Sequence, residues 1–146
     1  LGPVVHYADL VECLPYDDAV YMLKVTGTQL ERMVRHILRD EAFQGEHTEF
    51  YQFSHGMHIV WSRREQAFRT LTLDGEALYA DRLYTVAMQK YHYNNLKPFL
   101  NITLEEVEKN GKIRVLSTSA RDVVEEYLMV NQHLSRQVEG RLVVED

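Results

Sequence analysis

Two short segments of the sequence combine aromatic rings with amide or imidazole side chains. An aromatic ring beside amide groups can stack on a planar ligand while the amides bind the ligand's edge, and base–aromatic stacking contributes about 1–3 kcal/mol. The alternative is that most of these rings are ordinary core or surface residues, as we expect for the core candidates Phe53, Trp61 and Phe68. The two segments comprise Phe50, Tyr51, Gln52 and Phe53, and then Tyr91, His92, Tyr93, Asn94 and Asn95.

The motifs of a self-contained catalytic site are absent from the sequence. The seven histidines form no His-Glu-x-x-His pattern, and a strand would point His55 and His58 to opposite faces. There is no Gly-x-Ser-x-Gly, no P-loop and no Gly-x-Gly-x-x-Gly. Adjacent residues on a helix do not face each other, so acidic pairs such as Asp17-Asp18 and Glu105-Glu106 are interpreted as solvated surface. We therefore expect no catalytic residue and no metal site in this chain.

The composition is that of one globular domain. The chain has 146 residues, of which 45% are hydrophobic, enough for one core. Its net charge of −6 argues against nucleic-acid binding, which requires a surface rich in Lys and Arg. No apolar run approaches the ~20 residues needed to cross a bilayer. Cys13, the single cysteine, lies in an apolar stretch and is predicted to be a small buried side chain.

Periodicity and turn residues predict the order of the elements. The strongest signal is a helix that begins after Thr26 or Thr28 and has an apolar stripe at Leu30, Met33, Val34, Ile37 and Leu38. Further helices are predicted within 3–14, over 102–109 and over 119–130. Strands are predicted over 18–25, 50–53, 57–61, 68–73, 83–89, 112–116 and 141–145.

The connections between these elements indicate the fold class. Asp74-Gly75 predicts a hairpin turn, and the segment Asn94–Leu100, which contains Pro98, is predicted to be a loop. Strands and helices are intermixed along the chain, and hairpin turns join several strands. This pattern predicts an α+β fold with a mixed β-sheet and flanking helices, rather than a doubly wound parallel sheet.

Several phrases, taken in order, resemble the C-terminal domain of the 5′-nucleotidase family. This family includes ecto-5′-nucleotidases, UDP-sugar hydrolases and 2′,3′-cyclic-nucleotide phosphodiesterases. No single phrase is specific, but their order and spacing extend over nearly the whole chain. They are Tyr7-Ala8-Asp9-Leu10, Leu14-Pro15-Tyr16-Asp17-Asp18, Val25-Thr26-Gly27-Thr28-Gln29-Leu30, Glu49-Phe50-Tyr51-Gln52-Phe53-Ser54, Asp74-Gly75-Glu76, Tyr84-Thr85-Val86-Ala87 and Glu139-Gly140-Arg141-Leu142.

The resemblance implies that residues 1–146 are a single domain, trimmed at its N-terminus, of a two-domain hydrolase. A metallophosphoesterase domain outside this chain would carry two divalent metal ions, which supply a metal-bound hydroxide for attack on a phosphate. The C-terminal domain would clamp the nucleobase between two aromatic rings and deliver the substrate to the metals. Its implied partners are a nucleotide or nucleoside substrate and its own N-terminal domain. Phe50 matches the first ring, Tyr91 the second ring, and Gln52 an amide position near the base.

The segment after the second ring departs from the family pattern. The family has a Gly-Gly-Asp turn, whereas this chain has Asn94 and Asn95 in the candidate site and Lys97 at the acidic position. A degenerate domain that keeps the fold as a structural or interaction module therefore stays open as an alternative. Most members of the family are exported, which implies a periplasmic, cell-surface or extracellular location. The resemblance does not distinguish 5′-mononucleotides, cyclic nucleotides and nucleotide sugars as substrates.

Overall fold

A computed structural model describes residues 4–44 and 51–146 of the chain. Helices and strands are intermixed through these ranges, and a short 3-10 helix covers Asp40–Phe43. The helices are α1 (Tyr7–Cys13), α2 (Gly27–Ile37), α3 (Lys90–Asn94), α4 (Leu96–Leu100), α5 (Leu104–Lys109) and α6 (Ala120–Val130). The strands are β1 (Val20–Thr26), β2 (Met57–Ser62), β3 (Ala67–Leu73), β4 (Glu76–Ala77), β5 (Leu83–Gln89), β6 (Arg114–Ser117) and β7 (Leu142–Glu145).

The strands of the described residues form two sheets. The first has the order β5-β1-β6 and is antiparallel throughout. The second has the order β4-β3-β2-β7 and is mixed, because β2 pairs antiparallel with β3 and parallel with β7. The α+β class and the mixed sheet predicted from the sequence are confirmed. The division of the strands into two sheets was not evident from the sequence.

Helix α2 joins the two sheets. Thr26 caps its N-terminus, because the Gln29 backbone N–H donates to Thr26 Oγ1 at 3.2 Å and the Thr26 N–H donates to Gln29 Oε1 at 2.8 Å. This reciprocal capping box confirms one of the two predicted starts of the helix. Along the predicted apolar stripe, Leu30 and Ile37 contact both core clusters. One helix therefore contributes to the core beneath each sheet.

The start of α2 passes very close to the connection that enters β5. The Gly27 N–H donates to the Arg82 carbonyl and the Thr28 N–H to the Ala80 carbonyl, each at 3.0 Å. A Cβ atom at position 27 would lie 2.1 Å from the carbonyl oxygen of Tyr79. Glycine is required here because any side chain would collide with backbone.

Two clusters of buried side chains form the core of the described residues. The first underlies the β5-β1-β6 sheet and contains Leu23, Val25, Met33, Tyr84, Leu96, Leu100, Ile102 and Val107. The second underlies the other sheet and contains Val34, Leu38, Met57, Ile59 and Trp61, with Phe53 and Phe68 packed against it. The core assignments of Phe53, Trp61 and Phe68 are therefore confirmed.

Turn chemistry is also as predicted at the β3–β4 hairpin. Asp74 and Gly75 both have positive φ angles, of 52° and 82°. A two-residue turn with positive φ at both positions matches the right-handed twist of the flanking strands. The Asp-Gly pair therefore fixes the register in which Leu73 pairs with Glu76.

Three local predictions are wrong. Of the strand predicted over 50–53, the described residues 51–53 are not a strand, and 94–100 is not a loop but runs from the end of α3 through α4. Pro98 is compatible with α4 because it lies in the first turn, where a backbone N–H has no partner within the helix. Cys13 is exposed rather than buried, since the described part of α1 buries only Leu10.

Candidate functional site

Three of the five predicted site residues lie where β5 ends and α3 and α4 begin. Tyr91 and Asn94 are on α3, and Asn95 lies between α3 and α4. Tyr91 is 50% exposed, so part of its surface is open to solvent. Gln52 is exposed as well. Phe50, the predicted first ring, lies outside the described residues.

The Tyr91 ring packs against two other aromatic rings. The centroid of the Tyr91 ring lies 5.5 Å from that of Phe99 on α4 and 5.6 Å from that of His92. The His92 ring in turn lies 5.2 Å from Tyr51, at an interplanar angle of 55°. The two aromatic segments singled out in the sequence are therefore adjacent in the structure, since Tyr51 immediately precedes Gln52 and packs against α3.

The backbone of Tyr91 is held by residues at the start of β1. Asp18 Oδ2 accepts a hydrogen bond from the Tyr91 N–H at 2.6 Å, and the Ala19 carbonyl accepts one from the Lys90 N–H at 2.7 Å. On the other side of α3, Asn95 Nδ2 donates to the Tyr91 carbonyl at 2.8 Å. The bonds to Asp18 and Ala19 follow from the register of β1 and β5, in which Val20 pairs with Gln89, whereas the Asn95 bond is local.

Tyr16 is an exposed ring that the sequence analysis did not assign to the site. Its side chain is 86% exposed, in the connection between α1 and β1. Consecutive Cα atoms are ~3.8 Å apart, so the Cα of Tyr16 lies within about 8 Å of the Cα of Asp18, which holds Tyr91. The sequence contained one signal, an aromatic residue directly after Pro15 and before two acidic residues.

The neighbouring carboxylate, Asp17, serves a different helix. It accepts hydrogen bonds from the Ser119 hydroxyl at 2.9 Å and from the Arg121 N–H at 3.1 Å, at the N-terminus of α6. These bonds, first the one from the Arg121 backbone, lower the pKa of Asp17 below its ordinary value of 3.8. The sequence analysis interpreted the Asp17-Asp18 pair as solvated surface. In the structure, the Asp17 carboxylate accepts hydrogen bonds at the start of α6, and the Asp18 carboxylate accepts one from α3.

Some polar side chains at the junction of α3 and α4 form hydrogen bonds within the protein. The amide nitrogen of Asn95 is bonded to the Tyr91 carbonyl, and Lys97 Nζ donates to Asn101 Oδ1 at 2.9 Å. Asn94 and Gln52 are exposed. Of the predicted amides, these two have their side chains open to solvent.

Other features of the described residues lie away from this region. A cavity of about 210 Å³ lies between the β3–β4 hairpin and the start of β5, lined by residues that include Asp74, Arg82 and Thr85. Within residues 4–44 and 51–146, no group of three or more His, Cys, Asp or Glu side chains is placed to hold a metal ion. None of the helices in this part of the chain has the length and hydrophobicity that a membrane span requires.

Solved structures share this fold. The 5′-nucleotidase precursor from Thermus thermophilus matches 97% of this chain with a TM-score of 0.79 and 14% sequence identity. A putative 5′-nucleotidase from Staphylococcus aureus, solved in complex with α-ketoglutarate, matches 94% of this chain with a TM-score of 0.65 and 15% identity. The present chain spans only 28% and 29% of the lengths of those two chains.

The family is established by the sequence itself. The family model described as 5′-nucleotidase, C-terminal domain, matches residues 2–101, which is more than half of the 146 residues. This chain therefore belongs to the family of 5′-nucleotidase C-terminal domains, and the resemblance drawn from its sequence is confirmed. Among curated proteins, no sequence matches this chain.

Proposed function

We propose that this chain binds the nucleobase of a nucleotide substrate and orients that substrate for a 5′-nucleotidase-type metallophosphoesterase. The observation that supports the proposal is the half-exposed Tyr91 ring, backed by Phe99 and His92 and held at its backbone by Asp18. Any of the nucleobases can stack on such a ring, because every base has a π-face. Tyrosine retains this capacity despite its hydroxyl.

A second ring is required to enclose the base from the other side. The exposed Tyr16 is one candidate, because its segment is bonded to α3 through Asp18. Phe50, implied by the family resemblance, is the other and stays a prediction. Gln52 and Asn94 carry amides that both donate and accept hydrogen bonds, which suits them to the edge of a base.

The division of labour follows from the chemistry of the side chains. The described residues offer stacking rings and amides, so the chain's contribution is to place the phosphate correctly, which lowers the entropic part of the barrier. Two divalent metal ions, supplied by a separate N-terminal domain, would provide the nucleophile and stabilise developing charge. Such an enzyme would act outside the cytoplasm, in keeping with a structural neighbour that is a 5′-nucleotidase precursor.

Titration with adenosine and with AMP tests this proposal. Isothermal calorimetry is the appropriate readout, because Trp61 is only 1% exposed and is buried in the second core cluster. We expect saturable binding by the wild-type protein. Tyr91→Ala removes one stacking surface and should raise Kd by about fivefold to a hundredfold, given the usual contribution of one base–ring stack. Tyr16→Ala and Phe50→Ala identify the second ring by which of them weakens binding.

Tyr79→Ala is the matched control. Tyr79 is a tyrosine of similar exposure, at 59%, and its ring packs against Arg82 near the cavity rather than against α3. Its replacement should leave the Kd for adenosine unchanged. Equal weakening by Tyr79→Ala and Tyr91→Ala, or no binding by the folded wild-type protein, would contradict the proposal.

A second candidate function has its own supporting observation. The amide nitrogen of Asn95 and the amine of Lys97 are both bonded within the protein, which leaves fewer polar groups for a ligand. A domain that keeps the fold but acts as a structural or interaction module would fit this arrangement. That interpretation predicts that neither adenosine, AMP, a 2′,3′-cyclic nucleotide nor a nucleotide sugar binds to the full protein.

A further inference from the structure

The segment 17–19 at the entry to β1 is a junction for two helices that are remote from it in sequence. Its two carboxylates and two carbonyls bond the N-terminal ends of α3 and α6. Asp18 contributes to both, since its side chain accepts from the Tyr91 N–H and its carbonyl accepts from the Ala120 N–H at 2.8 Å. Asp17 bonds the α6 side, at Ser119 and Arg121.

Helix α3 depends on these bonds for its orientation. It has five residues, Lys90–Asn94, which is far below the length at which a helix is stable by itself. The N–H groups of its first turn have no partners within the helix. Those of Lys90 and Tyr91 are taken by Ala19 O and Asp18 Oδ2, the second through a short, charge-assisted hydrogen bond of 2.6 Å.

Together with the Tyr93 ring of α3, which stacks on Tyr21 of β1 at 4.3 Å between centroids, these two N–H bonds set the rotation of α3 about its own axis. That rotation decides the direction in which the Tyr91 side chain leaves the helix. The Asp18 carboxylate is therefore bonded directly to the backbone of Tyr91. The carboxylate of Asp17, one residue away, is bonded instead to Ser119 at the start of α6. The two adjacent carboxylates provide a natural comparison.

We propose that Asp18 is a positioning residue that sets the direction of the Tyr91 ring for base stacking, an inference that rests on the proposed function. Asp18 acts through the Tyr91 backbone rather than by touching the ligand. Its importance for binding should therefore disappear when the ring of Tyr91 is absent. Asn at this position keeps an acceptor oxygen and should substitute for Asp18, while Ala should not.

A double-mutant cycle tests this inference, with adenosine as the probe and calorimetry as the readout. Asp18→Ala should weaken Kd by about fivefold, as expected from the loss of one helix-capping bond. Asp18→Asn should retain most of the wild-type affinity for adenosine. In a Tyr91→Leu background, Asp18→Ala should change Kd by less than about twofold, because residues that act through one another are not additive.

The control is Asp17→Ala, which removes the same charge from the same segment but releases α6. We expect its Kd for adenosine to equal that of the wild type even if its unfolding temperature falls as much as that of Asp18→Ala. An undiminished effect of Asp18→Ala in the Tyr91→Leu background would overturn the inference, as would equal weakening by Asp17→Ala. If Asp18→Ala does not fold, Asp18→Glu in both backgrounds decides, because it keeps the charge but moves the acceptor oxygen away from the Tyr91 N–H. A wild-type protein that binds no adenosine would instead refute the proposed function, and with it the role of Asp18.

Discussion

The two ends of strand β1 are stabilised by different forces. Toward its C-terminal end, Leu23 and Val25 are at most 1% exposed and pack in the first core cluster with α2, α4 and α5. At its N-terminal entry, Asp17 and Asp18 are held by hydrogen bonds to α6 and α3. In the described structure, α6 has no buried residue at all.

This difference separates stability from ligand binding along a single strand. Apolar burial contributes in proportion to the area removed from water and tolerates small changes of angle. A hydrogen bond is directional and weakens steeply when its geometry is lost. The buried end of β1 is therefore suited to stabilising the fold, and the polar entry to setting the direction of a side chain such as Tyr91.

The largest effect on folding is expected at the buried end. Ile102 is fully buried in the first cluster, and Ile102→Ala should lower the free energy of unfolding by about 2–5 kcal/mol through lost burial and a residual cavity. Urea denaturation followed by circular dichroism measures this change. Leu104→Ala, two residues later at a side chain that is 44% exposed, is the matched control. Equal losses in both variants would remove the distinction between the two regions.

A smaller effect is expected at the rim of the same cluster, where Glu106 links α5 to α2. Glu106 accepts from Arg32 at 2.5 Å and from the Thr103 N–H at 2.8 Å. Glu106→Ala should cost about 1–2 kcal/mol, because it removes both a partly exposed ion pair and the capping box of α5. Glu106→Gln keeps the acceptor for Thr103 and should cost less. Denaturant midpoints of the two variants measure the difference, and equal midpoints would show that the charge contributes nothing.

The pH dependence of stability provides a separate test of Glu106. The hydrogen bond from Arg32, followed by that from Thr103, lowers its pKa from the ordinary value of 4.5 to about 2. Because the folded-state pKa is the lower one, the stabilisation is fully present above pH 4.5 and is lost as the pH falls toward about 2. Glu106→Gln should flatten the stability profile within that window. An unchanged profile would mean that other acids account for it.

The smallest effect is expected at the polar entry and should be local. Ser119 caps α6, since its hydroxyl accepts from the Asp122 N–H and donates to Asp17, each at 2.9 Å. Ser119→Ala should destabilise α6 by about 1 kcal/mol. Since the described α6 buries none of its residues, faster amide hydrogen exchange should appear in α6 and leave β1 and α2 unchanged. Faster exchange throughout the molecule would show that α6 is part of the core unit.

Much of the fold could be predicted because its signals are local. The capping box of α2 needs only Thr26 and Gln29, three residues apart, and the β3–β4 turn needs only Asp74-Gly75. Predictions failed where a tertiary contact competed with a local preference. Proline argued for a loop at 94–100, yet Leu96 and Leu100 are buried in the first cluster and hold a short helix around Pro98.

The candidate site was predictable only in part. The aromatic residue Tyr91 could be singled out from its amide-rich surroundings, and the order of the family phrases gave it a role. Tyr16 gave a weaker signal, because a lone exposed aromatic residue is common on protein surfaces. The sequence interpretation placed Asp17-Asp18 at the surface, where Asp17 is indeed exposed, but it could not identify their hydrogen-bond partners, because Ser119 and Tyr91 are distant along the chain.

The sequence alone determined the α+β class, most helices and strands, and the family to which the chain belongs. Local spacing, capping and turn residues were sufficient for these conclusions. Only the tertiary structure decided which residues meet Tyr91. The antiparallel register that pairs Val20 with Gln89 brings Asp18 and Ala19 to the first turn of α3, although 73 positions separate Asp18 from Tyr91. Such a contact forms only when two distant strands pair, so no local pattern in the chain encodes it.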